Sequence, residues 1–297
     1  MNKDIWVDPF RSRILAGNFP LTMLLSKKPD RKTHPSTSER ITTGIPPETL
    51  RSSFHDLRDA GFTVLAYSQE RPVARSSFLI DELMEVIRNY PGLAKRGIVF
   101  VTHSRGGLIV RKLLEGSGIR CLALITLGTP HAGSSLAGLS GHLAGISRVM
   151  YPFFEDAQRG TVRRTVGRVI EFLRSEALDE LFPGSDFMCN LDSDVLKDIK
   201  VLSFGGTDPR LITLYRWHRD CICYKDMFSI PDILTSVLPD SVVPEEFVQG
   251  RGDGLVTSAS SVAPHADRHY DFPLNHLKMV FSPEVRALIS GFLREII

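Results

Sequence analysis

The chain has 297 residues, is 42% hydrophobic and carries a formal net charge of +2 at pH 7. That length buries one large core, or one core with an excursion, and the near-neutral balance excludes a general electrostatic pull toward nucleic acid or anionic lipid. No stretch approaches the roughly 20 apolar residues that span a bilayer, and "MNKDIWVDPF" lacks the apolar run of a secretory leader, so a globular, cytoplasmic protein is expected.

Cysteine usage adds little. Cys121, Cys189, Cys221 and Cys223 form no CxxC pair and no regular disulfide framework. Cys221 and Cys223 with His218 nearby are a candidate ligand group, but no second cluster stands at the usual spacing, and no metal or cofactor is expected.

In chain order, the N-terminal stretch offers two candidate strands, "FPLTMLLSKK" and "SERITT", and the first has the better strand composition. From Phe54 the order becomes regular. "SFHDLRDAG" reads as a helix ended by Gly61, "FTVLAYS" as a buried strand, and "SSFLIDELMEVIRNY" as a helix with apolar positions at i, i+3, i+4 and i+7. "GIVFVT" is the next strand, "GGLIVRKLLEG" the next helix, and "CLALITL" the strand after it. Continuous apolar strands alternating with amphipathic helices predict an α/β fold whose mostly parallel central sheet carries helices on both faces.

The rhythm breaks after Thr129. "PHAGSSLAGLSGHLAGIS" is rich in small residues, and "VRRTVGRVIEFLRSEALDELF" reads as one strongly amphipathic helix. Alternation returns at "IKVLSFGG", and "RHYDF" followed by the helix "PEVRALISGFLREI" closes the chain. Residues 1–297 are therefore expected to form a single domain with an insertion over about 134–197 and a second excursion over about 209–248. Long segments of this kind are usually lids or covers; a helical decoration that thickens the core is the alternative for the first.

The most informative residue is Ser104 in "GIVFVTHSRGGLIVRKLLEG". Here an apolar strand stops at a serine and resumes as a helix after two glycines. A serine hydroxyl is a poor nucleophile until a base removes its proton. A sharp strand-to-helix turn exposes it and aims the helix N-terminus at a developing oxyanion. Crowding at that turn requires small residues two before and two after; Gly106 meets the second demand and Thr102 loosely meets the first, in place of the usual GxSxG. The alternative role for Ser104 is that of a helix N-cap.

A triad in this setting needs an acid and then a histidine in chain order. Asp253, between glycines in "GRGDGLV", and His276, in "FPLNHLKMV" before the last helix, fill those places. The carboxylate would hold the imidazole in one tautomer and stabilise it once protonated. Asp208 in "FGGTDPR" is the rival acid, since it directly follows a sheet strand; turn chemistry before Pro209 explains it equally well. Among the other histidines, His103 adjoins the serine and must point elsewhere, and His131 follows the preceding strand. His34, His55, His265 and His269 read as surface residues.

"VTHSRGGLIVRKLLE", "LITLGTPHAGS", "LFPGSDFMCNLDSD", "GDGLV" and "LNHLKMV" occur in the order seen in α/β-hydrolase lipases. The chain resembles the bacterial triacylglycerol lipases and the lecithin–cholesterol acyltransferase-like branch from about Phe54 to its C-terminus. The second excursion is unmatched. The resemblance implies Ser104 as nucleophile, Asp253 as acid and His276 as base, with a lid from Ser134 onward over an acyl pocket. It also implies an oxyanion hole built from the N–H of Arg105 and a second N–H in the loop after the third strand. For that second donor Ile45 in "ITTGIPPETL" is the candidate, and Lys27 the rival if "FPLTMLLSKK" is the strand. The bacterial lipases carry an aspartate after "NHL" that helps bind structural calcium. Lys278 stands here, so that calcium site is not expected.

The resulting expectation is a serine hydrolase of carboxylic esters acting on acyl-lipid or other apolar esters through an acyl-enzyme. Its partner would be a small-molecule ester or lipid, with no nucleic acid. Segments such as "LAGLSGHLAG" are open to transient contact with a lipid interface. The alternatives are a hydrolase-fold module that binds without turnover, and an acyltransferase or amidase with the same three residues.

Overall fold

The run "IVFVTH" forms β3 (Ile98–His103), every residue of which is buried. A β-branched and aromatic run hidden on both faces is what a central strand of a covered sheet requires. In the computed structural model the described residues are 21–23, 51–67, 73–90, 97–136, 138, 175–211, 213–218, 223–237, 239, 241 and 243–296.

The main sheet has the order β2-β1-β3-β4-β5-β8. Its strands are β1 (Leu21–Met23), β2 (Leu65–Tyr67), β3, β4 (Cys121–Leu127), β5 (Lys200–Gly206) and β8 (Arg268–Phe272). From β3 to β8 the neighbours run parallel, whereas β1 runs antiparallel to both β2 and β3. The α/β class and mostly parallel sheet are those read from the sequence. The stretch "FTVLAYS" differs: it yields only β2, on the sheet edge, with Ala66 exposed. An edge strand is bonded on one side alone, so its apolar composition does not guarantee burial.

Helices α1 (Ser53–Asp59), α2 (Ser76–Arg88), α3 (Gly106–Leu114) and α7 (Pro283–Ile296) cover the two faces. Strand alternation decides which face receives which helix. Ile98, Phe100 and Leu124 pack with Leu79, Leu83 and Ile87 of α2 and Ile109, Val110 and Leu113 of α3. Val99, Val101, Ile125 and Phe204 pack on the other side with Leu57 of α1 and Val285, Ile289, Phe292 and Leu293 of α7. The spacing of the α7 residues, i, i+4, i+7 and i+8, makes one apolar stripe. Each such side chain contributes roughly 1.5–3 kcal/mol on burial. Arg286 of α7 pairs with Asp56 of α1, closing the seam between them.

Two segments leave this frame. The helix expected over "VRRTVGRVIEFLRSEALDELF" is not continuous. Ser175 is extended (φ −88°, ψ 149°), and its hydroxyl accepts from Leu178 N to start the separate helix α4 (Glu176–Glu180). A serine that can cap starts a new helix where apolar periodicity alone predicts an uninterrupted one; residues 162–174 of that stretch lie outside the described residues. A short helix α5 (Asp186–Cys189) then leads back toward β5. Between β5 and β8, β6 (Thr213–His218) and β7 (Cys223–Ser229) pair as an antiparallel hairpin apart from the main sheet, followed by α6 (Ile230–Val237).

None of the described helices is long and apolar enough to cross a membrane. Cys121 and Cys189 are free thiols, and burial pushes the Cys121 thiol up to about 12.

Candidate active site

Four strands end on one edge of the sheet and deliver the candidate residues there. Ser104 follows β3, Gly128 and Thr129 follow β4, Asp208 lies just beyond β5, and His276 follows β8. Ser104 stands at φ +56°, one of two non-glycine residues with positive φ among those described. For a serine this left-handed conformation costs energy, and it persists only where the surroundings over-determine it. They do so here. Ser104 N donates to Leu127 O at 2.8 Å, while Ser104 O accepts from Gly107 N at 3.2 Å and from Thr129 Oγ1 at 2.8 Å. The side chain is half-buried, and α3 begins two residues later, so Ser104 does not serve as its N-cap.

Asp253 and His276 form a pair inside the protein. His276 Nδ1–H donates to Asp253 Oδ2 at 2.7 Å, and the two side chains are 0% and 1% exposed. Asp253 Oδ1 accepts from Leu255 N at 3.0 Å and Val256 N at 2.8 Å, so backbone donors fix the carboxylate. Because Nδ1 carries the proton toward Asp253, Nε2 presents a lone pair. This buried atom has no hydrogen-bond partner among the described residues. Asn275 stiffens the histidine loop: its Oδ1 accepts from Leu277 N and Lys278 N, and its Nδ2 donates to Arg210 O.

His103 ties that loop to the serine turn. Its Nε2–H donates to His276 O at 2.8 Å, and the two imidazole rings lie 4.5 Å apart between centroids. Burial, then the neighbouring His276, holds His103 well below the usual histidine range, so it is neutral and serves as a donor. Gly128 lets the three loops approach: a Cβ there would stand 2.9 Å from His276 Nδ1 and 3.0 Å from Asp253 Oδ2.

The rival acid is differently engaged. Asp208 turns its carboxylate to Arg210, with Oδ1 accepting from Nε at 2.8 Å and Oδ2 from Nη2 at 3.1 Å. Of the three oxyanion candidates, Arg105 lies at the N-terminal boundary of α3. Its guanidinium reaches Ala74 O and pairs with Glu180 at 3.6 Å, and burial brings it down to about 10. Ile45 and Lys27 lie outside the described residues. At Met23 the chain of β1 runs toward the amino ends of the parallel strands, opposite to the edge that carries Ser104.

A second serine–histidine–aspartate cluster is present and has a different character. Ser203 Oγ lies 2.8 Å from His269 Nδ1, and His269 Nε2 lies 3.2 Å from Asp271 Oδ1. Ser203 is wholly buried within β5 and accepts a bond from Ala263 N, so no substrate carbonyl reaches it. His269, read from sequence as a surface residue, is thus mostly buried and bonded. His131 lies beneath the same edge, where it accepts from Arg111 Nη1 at 3.3 Å and contacts Thr126 Oγ1 at 3.2 Å. Burial and the Arg111 charge lower it to about 3.

Gly128, Thr129 and Asn275 are the site residues whose roles sequence reasoning did not assign, although each falls inside a quoted motif. Among the described residues no group of three or more histidine, cysteine, aspartate or glutamate side chains is arranged to hold a metal ion. Cys221 of the candidate ligand group lies outside them.

A mostly parallel sheet covered on both faces, a strained serine between strand and helix, and a histidine after the last strand define the α/β-hydrolase fold. No protein-family model matches the chain, and no curated protein does. Among solved structures it is similar to the mature lipase BlEst2 of Bacillus licheniformis. The identity is 17% over 82% of this chain and 84% of that one, with a TM-score of 0.48. Of the propeptide form of that lipase it covers 45%. It is also similar to a thermophilic esterase from Thermogutta terrifontis, at 16% identity over 86% of this chain and 88% of that one, TM-score 0.41. These are likenesses of fold.

Proposed function

We propose that the protein is a serine hydrolase that cleaves carboxylic esters, with Ser104 as nucleophile, His276 as base and Asp253 as the acid that orients it. The observation that carries this reading is the buried His276–Asp253 pair, which leaves Nε2 as a lone-pair acceptor beside the loop of a strained, half-buried serine. In the reaction, Ser104 Oγ attacks the ester carbonyl as its proton passes to His276 Nε2. The tetrahedral oxyanion is stabilised by the Arg105 N–H and the start of α3; such a donor typically contributes about 3 kcal/mol in the transition state. Collapse expels the alcohol, which takes the proton from His276, and leaves an acyl-enzyme. Water, deprotonated by the same imidazole, then releases the acid.

The substrate class is esters of apolar acyl chains. Its support is the resemblance of the quoted motifs to lipases. The segment 134–197 would cover the acyl pocket, and 209–248 is a second excursion at the same end of the sheet.

Hydrolysis of p-nitrophenyl esters of graded chain length tests the reading, with Ser104→Ala and His276→Ala beside the parent protein. The expected outcome is turnover that rises with acyl length and vanishes in both variants. Hydrolysis persisting undiminished in Ser104→Ala removes the proposal.

A further inference from the structure

Outside the proposed triad, Glu246 is a buried carboxylate. It is 1% exposed, in a 3-10 turn (Glu245–Phe247) of the loop that leads to Asp253. A carboxyl group so deeply buried needs hydrogen-bond donors, and it has them. Oε1 accepts from Ser135 N at 2.7 Å and Ser134 Oγ at 3.0 Å, and Oε2 accepts from Ser135 Oγ at 2.6 Å. Those serines are the foot of the segment that leaves the sheet after β4. The end of α4, further along the same segment, is adjacent, since Ser134 N donates to Leu181 O at 2.7 Å.

The backbone of the same residue grips the acid from both sides. Gly254 N donates to Glu246 O at 3.0 Å, and a Cβ on Gly252 would stand 2.5 Å from Glu246 Cα. Ser134 adds a further link: its hydroxyl also lies 3.0 Å from Leu255 O, and Leu255 N donates to Asp253 Oδ1. Glu246 thus faces the foot of the segment with its side chain and Asp253 with its main chain.

We propose that Glu246 is a positioning residue that sets the reach of Asp253 toward His276 by anchoring the acid loop to the foot of the 134–197 segment. It touches no reacting atom and acts through Asp253. The inference rests on the triad proposed above.

The test compares the parent protein, Glu246→Gln, Glu246→Ala and Ser135→Ala, with Ser104→Ala as the activity control. Gln keeps an oxygen for the Ser135 N–H and Ser134 donors, and its amide can donate to the Ser135 hydroxyl. It should therefore stay within about threefold of the parent kcat. In Glu246→Ala kcat should fall at least tenfold with KM within about twofold, and Ser135→Ala should lie between. In proton NMR the downfield His276 Nδ1–H resonance, identified by its loss in Asp253→Asn, should shift in Glu246→Ala and stay in place in Glu246→Gln. A folded Glu246→Ala protein with parental kcat and an unmoved resonance overturns the proposal. If Glu246→Ala does not fold, an unmoved resonance and parental kcat in Ser135→Ala overturn it. Ester turnover that survives Ser104→Ala defeats the triad reading instead, while the resonance still reports on Glu246.

Discussion

His276 Nδ1 donates to Asp253 Oδ2 at 2.7 Å in a site where neither side chain sees solvent. The carboxylate does two jobs with its two oxygens. Oδ1 is held by Leu255 N and Val256 N, so that Oδ2 is aimed. Asp253→Asn can keep the backbone bonds through its remaining oxygen, but then presents an NH2 group to Nδ1 and forces the other tautomer. Activity should fall about 10³–10⁴-fold with little change in Tm, measured as kcat on a p-nitrophenyl ester.

Asp208 supplies the control. Its carboxylate is taken up by Arg210 on an exposed arm, so Asp208→Asn should change kcat less than about threefold. A loss matching that of Asp253→Asn would reverse the assignment of the acid.

Gly128→Ala places a methyl about 3 Å from both His276 and Asp253 at a position with φ +57°. The left-handed conformation alone costs roughly 1–2 kcal/mol, and the clash must also push the pair apart. A kcat loss of tenfold or more, with a lowered Tm, is the expected result by kinetics and thermal denaturation. Gly291→Ala in α7, where no atom of the described residues stands within 4 Å of the new Cβ, should leave kcat unchanged and should not lower Tm.

His131 makes stability depend on pH. Its folded value of about 3 lies below the unfolded value near 6.5. Between those limits the unfolded chain binds the proton and the folded chain does not. Its contribution is therefore absent above about pH 6.5, and the fold loses about 1.4 kcal/mol per pH unit as pH falls below it. Tm measured from pH 7 to pH 4.5 should decline, and His131→Gln should show a shallower slope whatever its absolute stability.

Legibility in the sequence followed the range of the forces involved. The serine turn was readable because strand, turn and helix signals are contiguous in "IVFVTHSRGGLIV". Flanking glycines single out Asp253 and the place after the last strand singles out His276, and the fold brings those two side chains into contact. What depended on distant partners was hidden. Arg111 looks like a surface charge on an amphipathic helix, yet it is 2% exposed because His131 and the Asp192–Ser193 backbone and hydroxyl receive it. Glu246 in "PEEF" reads as half of a solvated acidic pair, and only the fold brings Ser134 and Ser135 to it. The break at Ser175 was local in principle, but apolar periodicity outweighed a capping residue whose use is decided by packing. The β6–β7 hairpin falls inside the excursion expected over about 209–248, with Trp217 opposite Tyr224 in the backbone register.

Glu180 joins the residue after the serine to the start of α2. Its Oε2 accepts from Ser76 N at 2.8 Å and Ser76 Oγ at 2.7 Å, and it pairs with Arg105. Glu180→Ala removes acceptor and countercharge together and should lower stability by about 1–3 kcal/mol, read as a shift in urea midpoint. Glu180→Gln should recover part of it.

Reaction with a fluorophosphonate probe followed by peptide mapping measures directly whether Ser104 is an activated nucleophile. The proposed triad predicts stoichiometric phosphonylation of Ser104, slowed at least a hundredfold in His276→Ala. A protein that binds apolar ligands without turnover would leave Ser104 unlabelled under the same conditions, and that result, or labelling confined to another serine, would contradict it.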